Sequence, residues 1–155
     1  MTNMTIEEIL LEAIQGEIES HELYTNAVKM VQTAHVQDML RQLAGEELKH
    51  RLALEKLLAN PGSIRRGVRQ IQQAPIQDYK IGDHLVVKPL GPESTFQDVC
   101  IFASRKEQQA HELYRDLAEQ NEGETRDLLA AIAKDELRHK NLVEGWYEEV
   151  IYKDF

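Results

Sequence analysis

Glu17-Ile18-Glu19-Ser20-His21-Glu22-Leu23-Tyr24 returns later in the chain as Glu107-Gln108-Gln109-Ala110-His111-Glu112-Leu113-Tyr114. Glu46-Glu47-Leu48-Lys49-His50 returns as Asp135-Glu136-Leu137-Arg138-His139. Each half therefore holds one lone Glu followed by a Glu-x-x-His. Glu47 follows Glu17 by 30 residues, and Glu136 follows Glu107 by 29. That distance is about one long helix, a turn and part of a second helix.

The register of these acids decides their meaning. A helix repeats its face every three or four residues. Glu17 comes four after Ala13 and seven before Tyr24, so it falls within an apolar stripe. Glu107 falls likewise between Ala103, Ala110 and Tyr114. Glu47 follows Leu43 by four, and His50 precedes Leu54 by four. Glu136 follows Ile132 by four, and His139 precedes Val143 by four. All six polar groups thus occupy core positions. Buried carboxylates facing one another repel and resist ionisation. Divalent cations would neutralise them, with imidazoles completing the shell. One lone carboxylate per helix and a Glu-x-x-His on each of two further helices is the ligand pattern of two-metal four-helix bundles. Oxygen-rich coordination with two imidazoles suits iron or manganese better than magnesium, calcium or a soft metal. A structural zinc does not need six ligands.

Working outward, the pattern predicts four long helices. The first starts at Thr5, where Thr5-x-x-Glu8 reads as a capping box, and ends near Thr33. Its inward face carries Ile6, Ile9, Leu10, Ala13, Ile14, Tyr24, Val28 and Val31. The second runs from His35 to Ala59 and stops at Asn60-Pro61-Gly62. The third opens at Ser94-x-x-Gln97, and the fourth runs from Thr125 to Tyr152 after the turn Asn121-Glu122-Gly123. Between them, residues 61–93 hold all four prolines and four of the eight glycines. This segment reads as a long crossover between helices 2 and 3, with a short helix at 64–73 and strand character only at Leu85-Val86-Val87. A connection of that length has a topological reason when the chain must return to the opposite end of a bundle.

At 155 residues the chain predicts one domain, 1–155, with room for a real core. A net charge of −9 argues against a nucleic-acid partner. No apolar run approaches the roughly 20 residues that span a bilayer. The first residues lack a basic start and an apolar core, so the expectation is no signal peptide and a cytoplasmic location. The single cysteine, Cys100, excludes an internal disulfide and a cysteine-built metal site within one chain. Trp146, Tyr147, Ile151 and Phe155 suggest an apolar C-terminal surface through which the chain could form a homodimer.

The paired pattern, with Tyr24 and Tyr114 each seven residues after a lone Glu, resembles the di-iron domain of rubrerythrin, in the ferritin-like superfamily. The resemblance implies an all-α, ferritin-like four-helix bundle holding two iron ions. It implies Glu47 and Glu136 as bridging ligands and Glu17 and Glu107 as terminal ones, with His50 and His139 each on one iron. Tyr24 and Tyr114 would hydrogen-bond to ligand carboxylates, the alternative being ordinary core packing with some hydroxyl partner. His21 and His111, each four residues after a lone Glu, are expected on the flank of the stripe, paired with nearby acids. The alternative is that they tune the metal site. Two departures stand out. Rubrerythrins carry a further carboxylate three residues after the third-helix Glu, where this chain has Ala110. They also carry a four-cysteine iron site for electron delivery, where this chain has one cysteine. The expected activity is therefore a di-iron oxidoreductase that reduces hydrogen peroxide or dioxygen with electrons from an external donor. The alternative is iron handling of the ferroxidase type.

Overall fold

The computed structural model describes residues 6–59 and 90–151. Among the described residues, four α-helices make up the fold: α1 (Ile6–Ala27), α2 (Ala34–Ala59), α3 (Phe96–Glu119) and α4 (Gly123–Trp146). Among the described residues there is no strand. The Thr5 cap, the stop at residues 60–62, the short helix at 64–73 and the Leu85-Val86-Val87 strand all lie outside the described residues, as does most of the crossover.

α1 ends earlier than its apolar pattern predicts. After Ala27 the chain tightens into a 3-10 turn, Val28–Met30, and Val31 is extended. The Gln37 side-chain amide donates to the carbonyls of Val31 (2.7 Å) and Val28 (3.4 Å). These are carbonyls that a helix end leaves without partners, so the capture closes the α1–α2 hairpin six residues before Thr33 would have ended it. The cap of α3 is also one residue along from the expected one. Thr95 accepts from the Asp98 amide (3.2 Å), and the Asp98 carboxylate accepts from the Thr95 amide (3.0 Å). The Ser94 hydroxyl is instead taken by the Gly91 amide (2.8 Å). α3 and α4 join through a turn in which Gly123 adopts φ +63°, a left-handed conformation that suits glycine. α4 ends at Trp146 and passes into a π-helical turn, Tyr147–Ile151.

Two apolar cores occupy the two ends of the bundle. One gathers Leu10 and Ala13 of α1, Leu54 and Leu57 of α2, Tyr114 and Leu117 of α3, and Leu128, Leu129 and Ile132 of α4. The other gathers Tyr24, Leu40, Leu43, Phe96, Val99, Cys100, Val143 and Trp146. The start of α1 and the end of α2 thus share one core with the end of α3 and the start of α4. α2 and α3 run parallel, and α2 ends at the opposite end of the bundle from the start of α3. At 26 residues, α2 is about 39 Å long, and the connection must cover a comparable distance. This is the all-α four-helix architecture of the ferritin-like type. No helix among the described residues is long and apolar enough to cross a membrane.

The expected C-terminal dimer patch loses two of its four members. Trp146 and Tyr147 are buried in the second core, and the Trp146 indole donates to Met39 Sδ (3.2 Å). The Ile151 side chain and Phe155 lie outside the described residues.

Candidate metal centre

Between the two cores the bundle interior turns polar. Glu17, Glu47, His50, Glu107, Glu136 and His139, one or two from each helix, are all at most 2% exposed. Glu17, Glu47, His50 and Glu136 can each aim one donor atom so that all four atoms lie within 4.8 Å of one another. Glu47, Glu107, Glu136 and His139 do the same. Glu47 and Glu136 belong to both groups. The imidazoles of His50 and His139 stack on each other, with centroids 5.5 Å apart and planes at 18°.

The interior atoms of this cluster are orphans. Glu17 Oε2, both Glu47 oxygens, His50 Nδ1, Glu107 Oε2, Glu136 Oε1 and His139 Nδ1 have no hydrogen-bond partner. They nevertheless crowd together: His50 Nδ1 lies 2.7 Å from Glu136 Oε1, and His139 Nδ1 lies 2.8 Å from Glu47 Oε1. Buried polar atoms are almost always satisfied, so seven converging orphans need a shared partner. A pair of divalent cations fits the donor set of four carboxylates and two imidazoles.

The electrostatics agree. Burial, then the charge of Glu47, pushes the Glu17 carboxyl up to about 7. Burial and the neighbouring Glu107, Glu17 and Glu47 push Glu136 well above the usual carboxylate range. Burial acts to raise Glu47 as well, but the two histidines outweigh it and hold Glu47 well below that range. His50 and His139 are lifted well above the usual imidazole value, because the surrounding carboxylates outweigh the downward effect of burial. Without a cation, the cluster compensates for its negative charge by holding protons.

Four of these six side chains are also tied on their outer sides, and all four ties cross between the halves. The Tyr24 hydroxyl of α1 donates to Glu107 Oε1 of α3 (2.6 Å). The Tyr114 hydroxyl of α3 donates to Glu17 Oε1 of α1 (2.8 Å). His50 Nε2 of α2 pairs with Asp135 Oδ2 of α4 (2.6 Å), and His139 Nε2 of α4 pairs with Glu46 Oε2 of α2 (2.8 Å). Each imidazole therefore turns Nδ1 inward and rests Nε2 on a carboxylate, an arrangement that fixes the tautomer and raises ligand basicity. Arg138 joins the two supporting acids, donating to Glu46 (2.6 Å) and Asp135 (2.9 Å).

Glu46, Asp135 and Arg138 were not anticipated. The signal that could have found them is the acidic doublet, which recurs as Glu46-Glu47 and Asp135-Glu136. His21 and His111 correct the expectation of acid pairing. His21 Nδ1 meets the Ala44 carbonyl (2.8 Å), and His111 Nδ1 meets the Ala133 carbonyl (2.7 Å). Each fastens its helix to the partner within the same hairpin, one turn before Glu47 or Glu136.

A family model described as rubrerythrin matches residues 8–78. No curated protein and no solved structure matches the chain. The match takes in Glu17, Tyr24, Glu47 and His50. Glu107, Tyr114, Glu136 and His139 lie beyond it, and their place in the cluster rests on geometry alone.

Proposed function

We propose that this rubrerythrin-related chain is a non-haem di-iron oxidoreductase. One ion would sit among Glu17, Glu47, His50 and Glu136, the other among Glu47, Glu107, Glu136 and His139. The observation that carries this reading is that both groups share Glu47 and Glu136, so that these two residues would hold both ions. When bound, the two irons supply the electrons that reduce hydrogen peroxide or dioxygen.

The chain's own residues do the rest. The Tyr24 and Tyr114 hydroxyls restrain Glu107 and Glu17 by one oxygen each and leave the other oxygen of each turned inward. Asp135 and Glu46 hold the Nε2 protons of His50 and His139, so the Nδ1 lone pairs face the cavity. Ligation requires those Nδ1 atoms to be free of protons, so loading with metal releases protons. Cys100 is buried and its thiol is pushed up by burial, which makes it a poor thiolate. On this reading the electrons come from a redox partner outside the bundle. A cytoplasmic setting, where such donors are reduced, suits the reading.

The test is metal analysis and optical spectroscopy after anaerobic addition of iron(II), followed by peroxide or air. Two irons per chain, oxidised faster by peroxide than by air, are expected. Manganese at the same stoichiometry in protein as purified would change the metal but keep the site. A cage with many irons per chain would instead favour iron handling. Failure to bind stoichiometric iron or manganese would remove the reading. Glu47→Ala or Glu136→Ala should abolish paired binding, and retention of two tightly bound irons in either variant would refute the bridging assignment.

A further inference from the structure

One half-site can be reached from outside the bundle. A cavity of about 160 Å³ opens between α1 and α3 and reaches Glu17, Tyr114 and Glu136. That is room for several waters. Glu107, Tyr24 and Glu47, the counterparts of these three groups in the repeat, are not among its lining residues. The cavity is therefore one-sided. Two buried atoms that accept no hydrogen bond, Glu17 Oε2 and Glu136 Oε1, belong to side chains in its wall.

Gly16 and Ala110 keep this space open. Gly16 lies within α1, where glycine costs about 1 kcal/mol relative to alanine. Its backbone does not require glycine, because Gly123 is the only described glycine with positive φ. A Cβ at position 16 would meet nothing within 4 Å. A larger side chain there would extend into the cavity. The pseudo-equivalent position on α3 is Lys106, whose ammonium pairs with Glu19 (3.2 Å) beside the opening.

We propose that this cavity is the passage by which metal ions and small uncharged oxidants of the size of peroxide or dioxygen reach the centre. They arrive at the half-site of Glu17 and His50, and the half-site of Glu107 and His139 fills through it. This rests on the two-metal reading above. Substrates of this class fit the volume.

The test uses the purified full chain, cobalt(II) uptake followed by stopped-flow absorbance, and azide as a probe of an open coordination position. Gly16→Leu and Ala110→Leu should still bind two cobalt ions at equilibrium. Their uptake should slow at least tenfold, and the azide-induced spectral change should be lost. Gly45→Leu controls for helix propensity, because Gly45 is exposed on α2 and a Cβ there also meets nothing within 4 Å. It should behave as the parent chain does. Unchanged uptake and azide response in both cavity variants, or equal slowing in Gly45→Leu, would overturn the passage while leaving the metal centre intact. Failure of the parent chain to bind two cobalt ions would instead remove both readings.

Discussion

Arg138→Gln should destabilise the metal-free chain by about 3 kcal/mol. Arg138 makes two charge-assisted hydrogen bonds, to Glu46 (2.6 Å) and Asp135 (2.9 Å). Such bonds are worth about 1.5–3 kcal/mol each, and breaking a buried pair costs about 3–5 kcal/mol. The Arg138 and Glu46 side chains are each 11% exposed, so water can partly reclaim the freed carboxylates, and the lower end applies. Burial acts against the charge on Arg138, but Asp135 and Glu46 raise its pKa above the usual value, so the guanidinium stays charged. Its loss would leave two acids close together with only the histidines as partners. Urea unfolding is the assay. With a slope of about 1–3 kcal/mol per molar, the midpoint should fall by about 1–3 M. Arg138→Lys should recover less than half of the loss, because a single ammonium cannot reproduce the guanidinium fork. Lys49, the sequence counterpart of Arg138 on α2, is exposed, so Lys49→Gln should stay within about 0.5 kcal/mol. Cobalt(II) affinity of Arg138→Gln should also fall by about 10–100-fold, because the acids that orient both histidines lose their anchor. A midpoint unchanged within error, with unchanged cobalt affinity, would refute the claim that Arg138 organises the outer face of the centre.

Tyr24→Phe and Tyr114→Phe should each destabilise the apo chain by about 1–3 kcal/mol, by similar amounts, since each strips a hydrogen bond from a buried carboxylate; denaturant titrations that differ by more than twofold would break the equivalence of the half-sites. The metal-free chain should lose stability as pH rises from about 4.5 towards 7 and beyond. Glu17 is raised to about 7 and Glu136 is raised with it, so the folded state holds protons that the unfolded state has released. The raised histidines act in the same direction above their unfolded values; a thermal midpoint that rises across this range in a chelated sample would contradict it. Leu128→Ala should cost about 2–5 kcal/mol in the same unfolding assay, because Leu128 is fully buried in the first core.

The inward placement of Glu17, Glu47, His50, Glu107, Glu136 and His139 was legible because helical periodicity puts them among residues that must be buried. Glu17 lies in register with Ala13 and Tyr24, and no single-helix argument sends it outward. Glu46 and Asp135 were not legible for a related reason. Each sits about 100° around the helix from Glu47 or Glu136, on the flank of the stripe, where an acid ordinarily faces water. Only the docking of α2 against α4 turns that flank towards the opposite histidine. His21 and His111 failed similarly, since their partners are backbone carbonyls that no side-chain pattern advertises. The early end of α1 depended on Gln37, which lies in the next helix.

The crossed ties make assembly of the halves and formation of the centre a single event. Within each hairpin, His21 fastens α1 to α2 and His111 fastens α3 to α4. Between hairpins, the polar links at the centre include Tyr24 to Glu107, Tyr114 to Glu17, His50 to Asp135, His139 to Glu46 and Arg138 to Glu46. Neither half alone holds a satisfied half-site, because each tyrosine and each supporting acid serves the other half's ligand. A cation shared by Glu47 and Glu136 would add a further tie along the same seam. Binding to the docked state and not to the separated hairpins stabilises docking by mass action. Metal should therefore raise protection from amide exchange most at the α1–α3 and α2–α4 faces around the centre and least at the hairpin turns. Uniform protection on loading would mean that the hairpins are already locked without metal, and that the orphaned carboxylates are held in place by the two apolar cores alone.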